Sequence, residues 1–115
     1  MTNLDGLTMY VTSTAANGVV DSDTRLSFRQ IGDRVIARYA GGNVVRGLLV
    51  GRVVRDRLEF RYAQHERDGK IHGGHSTCDV LEQAGRVRII EHFEWTTRAG
   101  SGVNVFDEVF DAPAA

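Results

Sequence analysis

A chain of 115 residues, 42% hydrophobic and 25% charged, is long enough to bury one core and too short for two. Its formal net charge of -1 leaves no cationic excess of the kind a phosphate backbone demands, so nucleic acid is not an expected partner. No run approaches the roughly 20 apolar residues a membrane helix needs, and a lone cysteine, Cys78, cannot form a disulfide within the chain.

Short β-rich runs recur with turn chemistry between them. Leu7 to Ser13 is the first, closed by Asn17-Gly18, a dipeptide tolerant of positive φ. Thr24 to Ile31 and Arg34 to Ala40 are separated by Gly32-Asp33, which predicts a tight hairpin. Gly41-Gly42 turns the chain into Asn43 to Val53, and Arg57 to Gln64 is the fifth run. A sixth lies within Lys70 to Glu82, made irregular by Gly73-Gly74. Ala84-Gly85 leads to Arg86 to Trp95, and a turn over Ala99 to Gly102 leads to Val103 to Phe110. The 13 glycines, against Pro113 alone, are expected at turns and bends.

No apolar pattern of helical period lasts three turns, so the reading is all-β. Eight strands joined by short links predict an antiparallel up-and-down meander, and closing it into a barrel removes both exposed edges. A two-sheet sandwich is the alternative. The expected organisation is one domain over 1–115, with its core over about 7–110 and a short flexible C-terminal tail, 111–115. Met1 to Asp5 lacks the basic and apolar segments of a secretory signal, so the expected location is the cytoplasm.

Successive side chains of a strand point to opposite faces. Leu26 and Phe28 therefore oppose Arg25 and Arg29, and Val35, Ala37 and Tyr39 oppose Arg34 and Arg38. Leu58, Phe60 and Tyr62 oppose Arg57 and Arg61; Val87, Ile89, Phe93 and Trp95 oppose Arg86 and Arg88. The fourth, sixth and eighth runs give no clear face. Glu91 breaks the pattern by sharing the apolar face of its strand, where an unpaired carboxylate must neutralise or find partners. Arg46 is the expected inward partner, with the hydroxyls of Tyr39 and Tyr62 as further donors.

Other constellations carry less. His65, His72, His75 and Cys78 suggest a metal by residue type, but His72 and His75 face opposite ways in a regular strand. His72 and Cys78 lie about 20 Å apart. No CxxC, HExxH or His-x-His pair is present, so no metal and no cofactor are expected. His75, Ser76 and Asp79 adjoin in sequence, which is not the spatial geometry of a triad.

The runs RLSFRQIGDRVIARYAGGNVVRGLLVGRV, LEFRYAQ and GRVRIIEHFEWT make the chain resemble a group of small bacterial avidin-like barrel proteins of unknown function, a group sometimes labelled N-acetylglutamate synthase. The pattern is Phe28, Gln30, Gly32, Ala37, Tyr39, Gly41, Gly42, Gly47, Gly51, Phe60, Tyr62, Gly85, Arg86, Glu91 and Trp95, over about Asn17 to Phe110. The resemblance implies the barrel and no established activity. Acetyl transfer to glutamate needs an acetyl-CoA site, usually on a mixed α/β fold, and this chain has neither the helices nor the length. True avidins line their pocket with several tryptophans, whereas Trp95 stands alone, so a biotin site is not expected.

Three functions follow. The first is a non-enzymatic barrel holding a small, partly apolar ligand, with Tyr39, Arg46, Phe60, Tyr62, Glu91, Phe93 and Trp95 as its binding residues. A lumen with room for no more than a few waters would exclude this reading. The second is a barrel filled by its own side chains that acts through its surface as a homo-oligomer, a homodimer being the simplest. Val44, Val45, Leu48, Leu49, Val105, Phe106, Val109 and Phe110 would form that interface. The third is an enzyme with Glu91 as general base.

Overall fold

Alternating runs must keep one face wet and the other dry, and this chain does both by curling one sheet until its ends meet. The computed structural model describes residues 2–16 and 18–109. Eight strands follow one another: β1 (Thr8–Ser13), β2 (Arg25–Ile31), β3 (Arg34–Gly41), β4 (Val44–Val54), β5 (Arg57–Glu66), β6 (Ile71–Gln83), β7 (Arg86–Trp95) and β8 (Ser101–Glu108). Each pairs antiparallel with the next, and β8 pairs back onto β1 to close the barrel. The expected meander is present, and closure excludes the sandwich.

The last strand starts earlier than 103, because Ser101 and Gly102 pair with Glu94 and Phe93. Phe110, the tail 111–115 and Asn17 of the first turn lie outside the described residues.

Two-residue turns make four of the hairpins. Gly32, Gly42, Arg55 and Ala84 each begin one with φ of 61°, 62°, 58° and 52°, the left-handed conformation that matches the twist of the flanking strands. Five other glycines, Gly47, Gly51, Gly73, Gly74 and Gly102, stand inside strands rather than at turns. Three of these make room for rings across the sheet, Gly102 for its cross-strand partner Phe93, whose ring would lie 2.8 Å from a Cβ there. A Cβ on Gly47 would lie 2.3 Å from the Tyr39 ring, and one on Gly74 would lie 2.6 Å from the Tyr62 hydroxyl. Each glycine is the direct cross-strand partner of that tyrosine.

The four strands with a clear alternation place their apolar residues inward as expected, with arginines on the outside. In β4 Val44, Leu49 and Val53 are buried, in β6 Ser76, Cys78 and Val80, and in β8 Asn104 and Phe106. The apolar residues expected at an interface are thereby divided. Val44, Leu49 and Phe106 fill the barrel, while Val45 and Leu48 face out.

The two ends of the barrel differ. At the base, beside the turns at 32–33, 55–56 and 84–85, segment 2–7 crosses the opening and buries Leu4 completely. It is held by Gly6 N–H to Phe28 O (2.9 Å), Phe28 N–H to Leu7 O (2.8 Å) and Leu4 N–H to Gln30 Oε1 (2.9 Å). The core thus begins before residue 7. The opposite end, the mouth, carries the longer connections 14–24, 67–70 and 96–100. Aliphatic residues fill the base half, and the polar buried residues gather towards the mouth.

Candidate ligand-binding lumen

Glu91 is the centre of the polar half. It is 5% exposed, and its β7 position faces Cys78 on β6 and Asn104 on β8. Its carboxylate accepts two hydrogen bonds from neutral donors: Ser76 Oγ–H at 2.7 Å and Asn104 Nδ2–H at 2.9 Å. Burial raises its pKa above the ordinary carboxylate value, and these two bonds oppose the rise.

Arg46, the expected partner, is not there. The β4–β5 register shifts between Val44 and Arg46, and this bulge turns both Val45 and Arg46 to the outer surface. Arg46 is therefore removed from the predicted binding set. Neither tyrosine is a hydrogen-bond partner of Glu91 either. Tyr39 Oη–H donates to Gln64 Oε1 at 2.9 Å, and among the described residues Tyr62 Oη is buried with no hydrogen-bond partner. Burial, with the nearby Glu91 as a further cause, drives both phenols' pKa values up.

The remaining predicted residues converge. Tyr39, Phe60, Tyr62, Glu91, Phe93 and Trp95 line one cavity, together with Gln64 and Asn104. Their rings meet edge to face: Phe60 on Tyr62 at 6.1 Å, Tyr62 on Trp95 at 5.4 Å and Phe93 on Trp95 at 5.8 Å. At the mouth, Gln64 Nε2–H donates to Glu66 Oε2 at 3.0 Å, and the Arg98 guanidinium pairs with the Glu66 carboxylate. Arg98 also lies over Trp95, 4.1 Å from the ring centroid.

The connection from β1 to β2 folds over this mouth. Thr14 Oγ1–H and the Ala15 N–H donate to Asn104 Oδ1 at 2.8 and 3.3 Å, while Val19 and Val20 pack partly buried against the core. Asn104 thus joins the cover to Glu91 through one side chain. With the cover in place the cavity is about 30 Å³. At about 10–15 Å³ for each water, that admits two waters or a group of similar size.

Ser76, Asn104, Gln64, Glu66 and Arg98 were not foreseen as members of the site. The inner face of β6 carries Gly74 and Ser76, and that of β8 carries Gly102 and Asn104. These small and polar residues erase the apolar alternation by which an inner face is recognised. The signal was period two counted back from Cys78 and from Phe106.

The histidine–cysteine group disperses. His65 is exposed, His72 Nδ1 bonds Thr97 Oγ1 at 2.8 Å, His75 lies on the outer face near Glu94, and Cys78 is buried in the barrel. Among the described residues no three His, Cys, Asp or Glu gather where a metal could bind.

A family model described as avidin-like protein matches residues 2–109. No curated protein and no solved structure matches the chain. With a closed eight-stranded antiparallel barrel and a match over nearly its whole length, this chain belongs to the avidin-like protein family.

Proposed function

We propose that the mouth half of the barrel binds a small molecule, with the β1–β2 connection as its cover. The observation that carries this reading is the Tyr62 hydroxyl, a buried polar group without a partner, set in a cavity that also holds the Glu91 carboxylate. Leaving such a group unpaired costs about 1–3 kcal/mol, and a ligand atom beside it would recover that energy. The base half, sealed by Leu4 and lined with aliphatic side chains, supports the fold rather than recognition.

The closed cavity, with room for about two waters, fails the size that the sequence reading required of a pre-formed pocket, so the proposal holds only for a lumen that opens when its cover moves. A head group of a few atoms fits beneath Val19 and Val20, and the rest of a larger ligand would have to displace them. Asn104 bonds both Glu91 and the cover residues Thr14 and Ala15, so a ligand too large for the closed cavity would disturb the cover and the site through one amide.

Trp95 is the only tryptophan and lines the cavity, so its fluorescence reports on the site. Titration with a panel of small polar molecules (ethylammonium, acetamide, ethanol, formate) is expected to give a saturable change for at least one. A flat response to all of them overturns the proposal and leaves a barrel filled by its own side chains.

A further inference from the structure

Resting on that reading of the cavity, we infer that its ligand presents a cationic amine, an ammonium head group, to Glu91. Two independent features of the cavity point the same way.

The first is unbalanced charge. Both hydrogen-bond partners of the Glu91 carboxylate, Ser76 and Asn104, are neutral. The titratable groups near it are Tyr39 from β3, Tyr62 from β5 and Cys78 from β6, all of them acids that lose a proton rather than gain positive charge. His92, the adjacent residue on β7, is exposed on the outer face, where it lies 3.8 Å from Asp79 and is the least of the influences that favour the Glu91 carboxylate. Arg98 pairs at the mouth with Glu66 and lies over the Trp95 ring, its Nε buried without a partner among the described residues and its charge felt by Tyr62 but not directed to Glu91. Among the described residues that line the cavity, none carries the positive charge that a buried carboxylate ordinarily has beside it.

The second is the wall. Phe60, Tyr62, Phe93 and Trp95 surround the same space, and aromatic faces attract cations through their quadrupoles, more strongly when water is excluded. The Tyr62 oxygen, buried and unpartnered, has lone pairs free to accept an N–H. An ammonium group placed there would donate to Glu91 and to Tyr62 while resting against rings. A carboxylate would meet like charge. An alcohol would gain the hydrogen bonds without the charge or the ring attraction.

The test compares ethylammonium, ethanol and formate, matched in size, by Trp95 fluorescence at constant ionic strength, in the wild-type chain and in Glu91→Gln. Ethylammonium is expected to bind on the order of tenfold or more tightly than ethanol, with formate giving no saturable change. Glu91→Gln is expected to remove the preference for the amine while leaving the ethanol response in place. Equal binding of amine and alcohol, or an amine response unchanged in Glu91→Gln, overturns the ammonium assignment but leaves the cavity as a ligand site. No saturable response to any of the three overturns both. Should Glu91→Gln fail to fold, the wild-type comparison decides by itself, and Tyr62→Phe, which keeps the ring, is expected to weaken the amine severalfold.

Discussion

At the scale of single residues, Glu91 and Tyr62 are both held in positions that cost stability, and each leaves a measurable trace. Because burial raises the Glu91 pKa, the native state holds this proton more tightly than the unfolded chain does. That contribution to stability is fully present below the unfolded-state value near 4.5 and is lost as pH rises through the native one. Glu91→Gln resembles the protonated form, so it should match the wild type in acid and exceed it at neutral and alkaline pH, by on the order of 1–3 kcal/mol. Denaturant unfolding across pH measures the difference, and a gap independent of pH would contradict the account. Asp107 acts in the opposite sense: its bonds from Arg88 lower its pKa, so its contribution is lost as pH falls. Tyr62→Phe removes a hydroxyl that has no partner, and should leave stability unchanged or raise it by up to about 2 kcal/mol. A clear loss of stability would show that the hydroxyl is satisfied in solution. The inward direction of Glu91 was legible in the run RVRIIEHFEW, where period two allows nothing else. Its partners were not, because they come from β6 and β8 and depend on the register between strands.

At the scale of elements, turns and bulges decide where side chains go. The β6–β7 hairpin turns on Ala84-Gly85, with both residues at positive φ. Alanine meets a steric penalty in the left-handed region that asparagine tolerates better. Ala84→Asn would create the Asn-Gly dipeptide favoured by such turns, and is expected to raise stability by about 0.5–1 kcal/mol, read as a higher thermal midpoint. A lowered midpoint would mean that the turn needs alanine for some other contact. The turns at Gly32-Asp33, Gly41-Gly42 and Ala84-Gly85 were visible as short breaks between runs, because turn chemistry is local, whereas the turn at Arg55 carries no glycine to announce it. The bulge at Val45 and Arg46 was not, since one extra residue in β4 is defined only against β5. The same limit applies to segment 2–7, where Leu4 gives no sign in sequence that it closes the base.

At the scale of the whole molecule, closure joins Val11 of β1 to Phe106 of β8 across almost the full chain, whereas every other pairing joins neighbouring strands. Loop-closure entropy grows with the separation of the paired segments, so this seam should form after the β4–β5–β6 meander. Val11→Ala is then expected mainly to speed unfolding, and Leu58→Ala, in the centre of the meander, to slow folding as well; chevron plots would distinguish them. Equal effects of both substitutions on the folding rate would place the seam in the transition state. The sequence by itself determined the strands, their order, most turns and the inward face of four strands, because alternation and turn chemistry act over a few residues. Tertiary structure alone decided that the sheet closes, that Arg46 lies outside, that Ser76 and Asn104 meet Glu91, and that Gly18, Val19 and Val20 line the mouth. Those outcomes depend on how residues far apart in the chain are set beside one another by register and shear, and no local pattern carries that information.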